Sequence, residues 1–131
     1  PLIHALHPPV EPHPQHLIAA AAAEVATSIG AAGVVAFTQS GTSAYRIARQ
    51  RPNVPILTIT PSLSTARRLA LLWGTQEVLS TGGGDYDEMV EQAIHHARES
   101  GFAKAGDTIV IVSGIPFGTQ GSTNNLRIAT V

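Results

Sequence analysis

Three short apolar runs constrain the fold more than anything else in the sequence. "VVAF" (34–37), "ILTI" (56–59) and "IVIV" (109–112) lack the polar alternation of a strand with one wet face. Such strands are covered on both faces, as in a parallel sheet with helices above and below. The stretches between them carry helical signals. From Leu17 to Ile29, the positions Ile18, Ala22, Val25 and Ile29 share one helical face, and Gly30 is placed to end the helix in a left-handed conformation. After the strand 33–37, residues 42–50 form a helix with Tyr45, Ile47 and Ala48 as packing positions. After the strand 55–59, Thr60 and Pro61 read as N-cap and first helical residue of a helix reaching about Leu72. Gly74 ends it, "QEVL" (76–79) is a short strand, and Asp85 with Glu88 has capping-box spacing for a helix to about Ser100. Gly101 stops that helix before the strand 108–112.

The last strand, "LRIATV" (126–131), has no helix before it, only the Gly-rich connection 113–125, so it is antiparallel to its neighbour. The expected fold is therefore α/β: a three-layer sandwich with a mixed five-stranded sheet, four strands parallel and the C-terminal one antiparallel, and helices on both faces. Residues 1–15, "PLIHALHPPVEPHPQ", are rich in Pro and His and read as an arm or linker, which leaves 16–131 as the folded domain. With 131 residues, 44% of them hydrophobic and 13% charged, one core is affordable to the chain. A net charge of −1 gives no general attraction to nucleic acid or to anionic membrane, and no apolar run is long enough to span a bilayer. The absence of cysteine excludes disulfides, a thiolate nucleophile and zinc-thiolate sites, and fits a cytoplasmic protein. A start at Pro1 without a signal-peptide pattern reads as a segment of something longer.

In open α/β sheets, ligands sit beyond the carboxyl ends of the strands, near a topological switch point. The loops 38–43, 80–84 and 113–123 meet that description by position. In "TQSGTS" (38–43), Gly41 permits close backbone approach, and Thr42 or Ser43 can cap a helix whose first amides lack intrahelical partners. Those amides, the helix dipole and the hydroxyls make an oxyanion site, suited to phosphate. An ordinary N-cap turn explains the same residues. Neither the P-loop nor the dinucleotide glycine pattern is present, and without G-x-S-x-G or a relay histidine a serine nucleophile fits poorly. The loop "SGIPFGTQGSTNN" (113–125) has the composition of a binding loop, or of a wide hairpin connection. "STGGGDYD" (80–87) reads as hinge and helix cap, since Asp85 and Asp87 would repel phosphate.

Of the six histidines, His4, His7, His13 and His16 fall in the arm or at its end. His95 and His96 are helix neighbours that cannot face one site together, so no metal site is expected. Arg67 and Arg68 read as a solvated face or an ion pair in preference to an anion site. Trp73 and Met89 read as core.

Two long stretches carry a resemblance. "VVAFTQSGTSAYRIARQRPNVPILTITPSLSTARRLALLWGTQEVL" and "AKAGDTIVIVSGIPFGTQGSTNNLRIATV" contain, in order, a strand ending in T-x-S-G-x-(S/T), an RP…P…TP segment, TAR(Q/R)L, a GD-led strand, a G-x-P-x-G loop and a final N…V strand. From about residue 17 onward the sequence resembles the C-terminal, allosteric domain of pyruvate kinase. The resemblance implies a regulatory, non-catalytic domain. The family's reaction converts phosphoenolpyruvate and ADP to pyruvate and ATP in glycolysis. Its catalytic residues lie in a barrel and a lid N-terminal to this segment, and Mg²⁺ and K⁺ are expected there, with no cofactor here.

Position by position, Thr38, Gln39, Ser40, Gly41, Thr42 and Ser43 match the loop that grips an effector phosphate. Gly114, Pro116, Gly118, Gly121 and Ser122 lie in the loop that closes over the effector. Members activated by fructose 1,6-bisphosphate hold the second phosphate with a tryptophan and an arginine after the third strand. "STGGGDYDEMV" (80–90) has neither, so a sugar monophosphate or nucleotide monophosphate is the expected effector. The other expected partners are the domain's own catalytic barrel and copies of itself, as a dimer or tetramer through strand 126–131. The rival functions are a purely structural, oligomerising domain and a stand-alone enzyme acting on a phosphorylated small molecule.

Overall fold

The computed structural model describes residues 14–73, 75–80, 85–114 and 123–131. The elements run α1 (Pro14–Ser28), β1 (Gly33–Phe37), α2 (Thr42–Arg49), β2 (Ile56–Thr60), α3 (Leu63–Trp73), β3 (Gln76–Leu79), α4 (Tyr86–Glu99), β4 (Thr108–Gly114) and β5 (Thr123–Thr130). The Pro/His-rich arm as far as residue 13, Gly74, the loop 81–84 and the side chain of Trp73 lie outside the described residues.

The sheet order is β3-β2-β1-β4-β5. β1, β2, β3 and β4 are parallel, and β5 pairs antiparallel with β4. The expected five-stranded mixed sheet is therefore present, with helices on both faces. Alternation along the central strands divides the core in two. Val34, Ala36, Ile56, Val110 and Val112 face Ala19, Ala22 and Ala26 of α1, Ala44 and Ile47 of α2, and Leu69 of α3. Val35, Leu57, Ile59, Ile109 and Ile111 face Met89, Val90, Ala93 and Ala97 of α4. Apolar residues on both sides of β1, β2 and β4 are the reason those strands read as unbroken apolar runs.

Four expectations change in detail. The buried stripe of α1 is Ala19, Ala22, Ala23 and Ala26, with Ile18 and Val25 at its margin. Ile29 is 45% exposed because the helix has already ended at Ser28. Gly30, at φ 66°, closes that end: its N–H reaches Thr27 O and the Ala31 N–H reaches Ala26 O, a Schellman arrangement. On α2, Ala44 and Ile47 are buried, whereas Tyr45 is 39% exposed beneath the Arg49 guanidinium, 5.8 Å from the ring centroid.

Thr60 is the fully buried last residue of β2 and not a helix cap. Its partner is Leu79, and Ser62 takes the capping role, its Oγ accepting the Thr65 N–H at 3.2 Å. A buried β-branched residue paired with β3 belongs to the sheet, so the turn is displaced to Pro61 and Ser62. Finally, β4 and β5 extend to Gly114 and from Thr123, which shortens the connection between them to residues 115–122.

Candidate anion site at the β1–α2 turn

β1 has β2 on one side and β4 on the other, so the chain moves outward through β2 and β3 and then returns. The switch point lies between β1 and β4, where the crevice beyond the strand ends opens. Ala36 is in register with Val112, so the turn after β1 and the connection after β4 leave the same end of the sheet. The turn after β3 starts two strands away.

Residues 38–43 form a tight turn into α2. The Thr38 N–H continues the β1–β2 ladder by donating to Ile59 O at 3.0 Å. Thr38 Oγ1 accepts the Gly41 N–H at 2.9 Å, which closes the turn. Ser40 and Thr42 hydroxyls lie 2.8 Å apart. Gly41, and neither Thr42 nor Ser43, is the N-cap: it is left-handed at φ 89°, and no side chain of the cap residue bonds the first turn. Ser40 Oγ accepts the Thr42 N–H at a long 3.4 Å. A Cβ at position 41 would lie 3.1 Å from Thr65 Cγ2, so conformation and space both favour glycine. α2 has no acidic residue in its first turn and carries Arg46 and Arg49 in its last, so charge on the helix leaves its positive end open to an outside anion.

Two residues hold the turn from the side: Thr65, which sequence reasoning left out, and Arg68, which it read as a solvated face or an ion pair. Thr65 Oγ1 donates to Gln39 O at 2.9 Å, and Arg68 Nη2 donates to Ser40 O at 2.6 Å. Arg68 is exposed, as a solvated face requires, but its guanidinium is bonded to the candidate loop. The signal for this was topological. β2 lies beside β1, so the helix after β2 begins next to the turn after β1.

Of the expected effector-loop residues, Gly114 ends β4 opposite Thr123, where the ladder slips by one position. Pro116, Gly118, Gly121 and Ser122 lie outside the described residues. Just before Gly114, the Ser113 hydroxyl is buried with no hydrogen-bond partner among the described residues. Asn125 stands opposite Ser113 and accepts from Tyr86 Oη at 3.1 Å, and the Arg127 guanidinium sits 5.5 Å from the Tyr86 ring centroid.

A second concavity lies at the far edge of the sheet, between β3 and the end of α4, lined by Glu77, Val78, His96, Glu99 and Ser100 among others. Burial raises the Glu77 carboxyl above its ordinary range, against a hydrogen bond from Thr75 that lowers it. Burial and the neighbouring His95 lower the His96 imidazole, against the opposing pull of Glu99. Among the described residues, no three His, Asp or Glu side chains are grouped to hold a metal ion, and no helix is long and apolar enough to cross a membrane.

Comparison with known proteins agrees with this architecture. Residues 16–129 match the family described as "Pyruvate kinase, alpha/beta domain". Two pyruvate kinases of Agrobacterium vitis are 48% identical over 128 residues and 46% identical over 131, covering 98% and 100% of this chain. A pyruvate kinase of Methylorubrum extorquens is 40% identical over 121 residues, 92% of the chain. The chain spans only 27% of the length of the first two and 25% of the third. With a family match over residues 16–129, nearly the whole folded length, the chain belongs to the pyruvate kinase α/β-domain family.

Proposed function

We propose that this chain is the regulatory, non-catalytic domain of a pyruvate kinase and that the 38–43 turn binds the phosphate of an effector. The observation that carries this reading is the start of α2: a left-handed glycine N-cap with no side-chain cap bond, ringed by hydroxyls, at the switch point of the sheet. Helix-start amides in that setting favour an anion. The effector is a sugar monophosphate or a nucleotide monophosphate. Phosphoryl transfer between phosphoenolpyruvate and ADP belongs to the remaining three-quarters of the parent protein, where Mg²⁺ and K⁺ would act. The domain also joins copies of the protein: β5 is an edge strand with β4 as its neighbour in the sheet and a half-exposed Ile128, suited to pairing across a two-fold axis.

Calorimetric titration with glucose 6-phosphate, ribose 5-phosphate, AMP and fructose 1,6-bisphosphate tests the reading. One of the monophosphates should bind, more tightly than the bisphosphate, and Ser40→Ala should weaken it. Silence from all four at millimolar concentration, with parent kinetics unchanged by Ser40→Ala, would leave a purely structural domain.

A further inference from the structure

Two consecutive carbonyls of the 38–43 turn are held by one face of α3. Thr65 takes Gln39 O and Arg68, three residues on, takes Ser40 O. A trans peptide directs its C=O and N–H oppositely. Drawing both carbonyls toward α3 therefore turns the N–H groups of Ser40 and Gly41 away from it, toward the turn's interior. There the Gly41 N–H meets Thr38 Oγ1 at 2.9 Å. The turn "TQSGTS" contains no charged side chain of its own. The Arg68 guanidinium is a cation bonded to its backbone, and the bond to Ser40 O engages one of five N–H donors.

We infer that Thr65 and Arg68 form a clamp that presets the turn for phosphate. Thr65 fixes the orientation of the backbone, and Arg68 fixes it while supplying the positive charge that selects a phosphate dianion over a monoanion. Both are positioning residues, acting through the carbonyls they hold. The inference rests on reading 38–43 as the effector-phosphate site. It adds the charge class that the site prefers, and it makes α3 the element whose position is linked to occupancy.

The test is glucose 6-phosphate titrated into the full-length protein and its variants from about pH 5 to about pH 7.5, a range that spans the second ionisation of a phosphate monoester. Arg68→Gln should weaken binding by about tenfold at the upper end and flatten the rise in affinity with pH, because the positive charge beside the turn has gone. Arg68→Lys should restore part of both. Thr65→Val should weaken binding a few-fold without altering the pH profile, and Arg67→Gln, one position along, should change neither. If wild-type protein binds and Arg68→Gln binds equally with the same pH profile, the clamp is wrong and the effector site stands. A lower melting temperature in Arg68→Gln with unchanged binding overturns it equally. If wild-type protein does not bind at all, the reading of the 38–43 turn fails, and the clamp with it.

Discussion

α2 and α4 each begin beyond the carboxyl end of the sheet, yet they solve the same electrostatic problem in opposite ways. α4 opens with Asp85, whose Oδ1 accepts the Glu88 N–H at 2.9 Å, and carries Asp87 and Glu88 in its first turn. Its positive end is neutralised from within. α2 opens with a left-handed glycine, hydroxyls and no acid. A helix start capped by glycine is less stable than one capped by an aspartate side chain, by roughly a few tenths of a kcal/mol. On the reading proposed for the 38–43 turn, that open start beside the switch point is what separates a site from a joint, and the contrast can be pressed from either side.

The largest effect should come from Gly41→Val. A β-branched residue forced to φ 89°, with Thr65 Cγ2 3.1 Å from its Cβ, should destabilise the domain by about 2 kcal/mol and abolish phosphate binding together. Urea unfolding reads the first and calorimetry the second. Asp85→Ala removes the internal cap of α4 and should cost about 1 kcal/mol in the same unfolding experiment. Phosphate binding at the other helix should not change. If it did, the two helix starts would not be independent.

Thr42→Asp gives α2 an acid in its first turn. It should raise stability by about 0.5 kcal/mol through the helix dipole while weakening phosphate binding on the order of tenfold. Opposite signs in the two measurements would mark the turn as a place where stability is given up for binding.

The smallest effect concerns the other end of α4. Burial, then His95, lowers the His96 imidazole below 6.5. The unfolded chain therefore takes up the proton first, and this group's contribution to stability is complete above about pH 6.5 and fades as pH falls through the lowered value. His96→Gln should flatten that fade in unfolding midpoints measured across the acid range. Phosphate binding by the 38–43 turn should be unaffected.

Much of this was legible in the residues themselves. Unbroken apolar runs identified strands covered on both faces, and Asp85 with Glu88 marked the start of α4 to the residue. The turn 38–43 stood out by its glycine and four hydroxyl residues between strand and helix, although an ordinary N-cap turn explains the same residues. The details that could not be read depended on contacts between distant segments. Thr60 resembles a cap until its pairing with Leu79 places it in β2. Ile29 fits the helical face of α1 by spacing, and only the Schellman end at Gly30 takes it off that face. Arg68 was the largest gap. An arginine beside another on an exposed helix has the signature of a solvated face, and its bond to Ser40 spans 28 positions of chain. Strand order, which brings α3 beside the β1–α2 turn, is not encoded in local periodicity.

The central claim is that the 38–43 turn is a phosphate sensor. The most direct measurement is amide NMR of the domain during titration with glucose 6-phosphate, with Ser40→Ala in parallel. The account predicts saturable shifts of the Ser40, Gly41, Thr42 and Ser43 amides in the wild-type protein, spreading to Thr65 and Arg68 on α3 and much reduced by Ser40→Ala. Shifts that stay at the Asp85 end of α4, or no shifts anywhere at millimolar ligand, would contradict it.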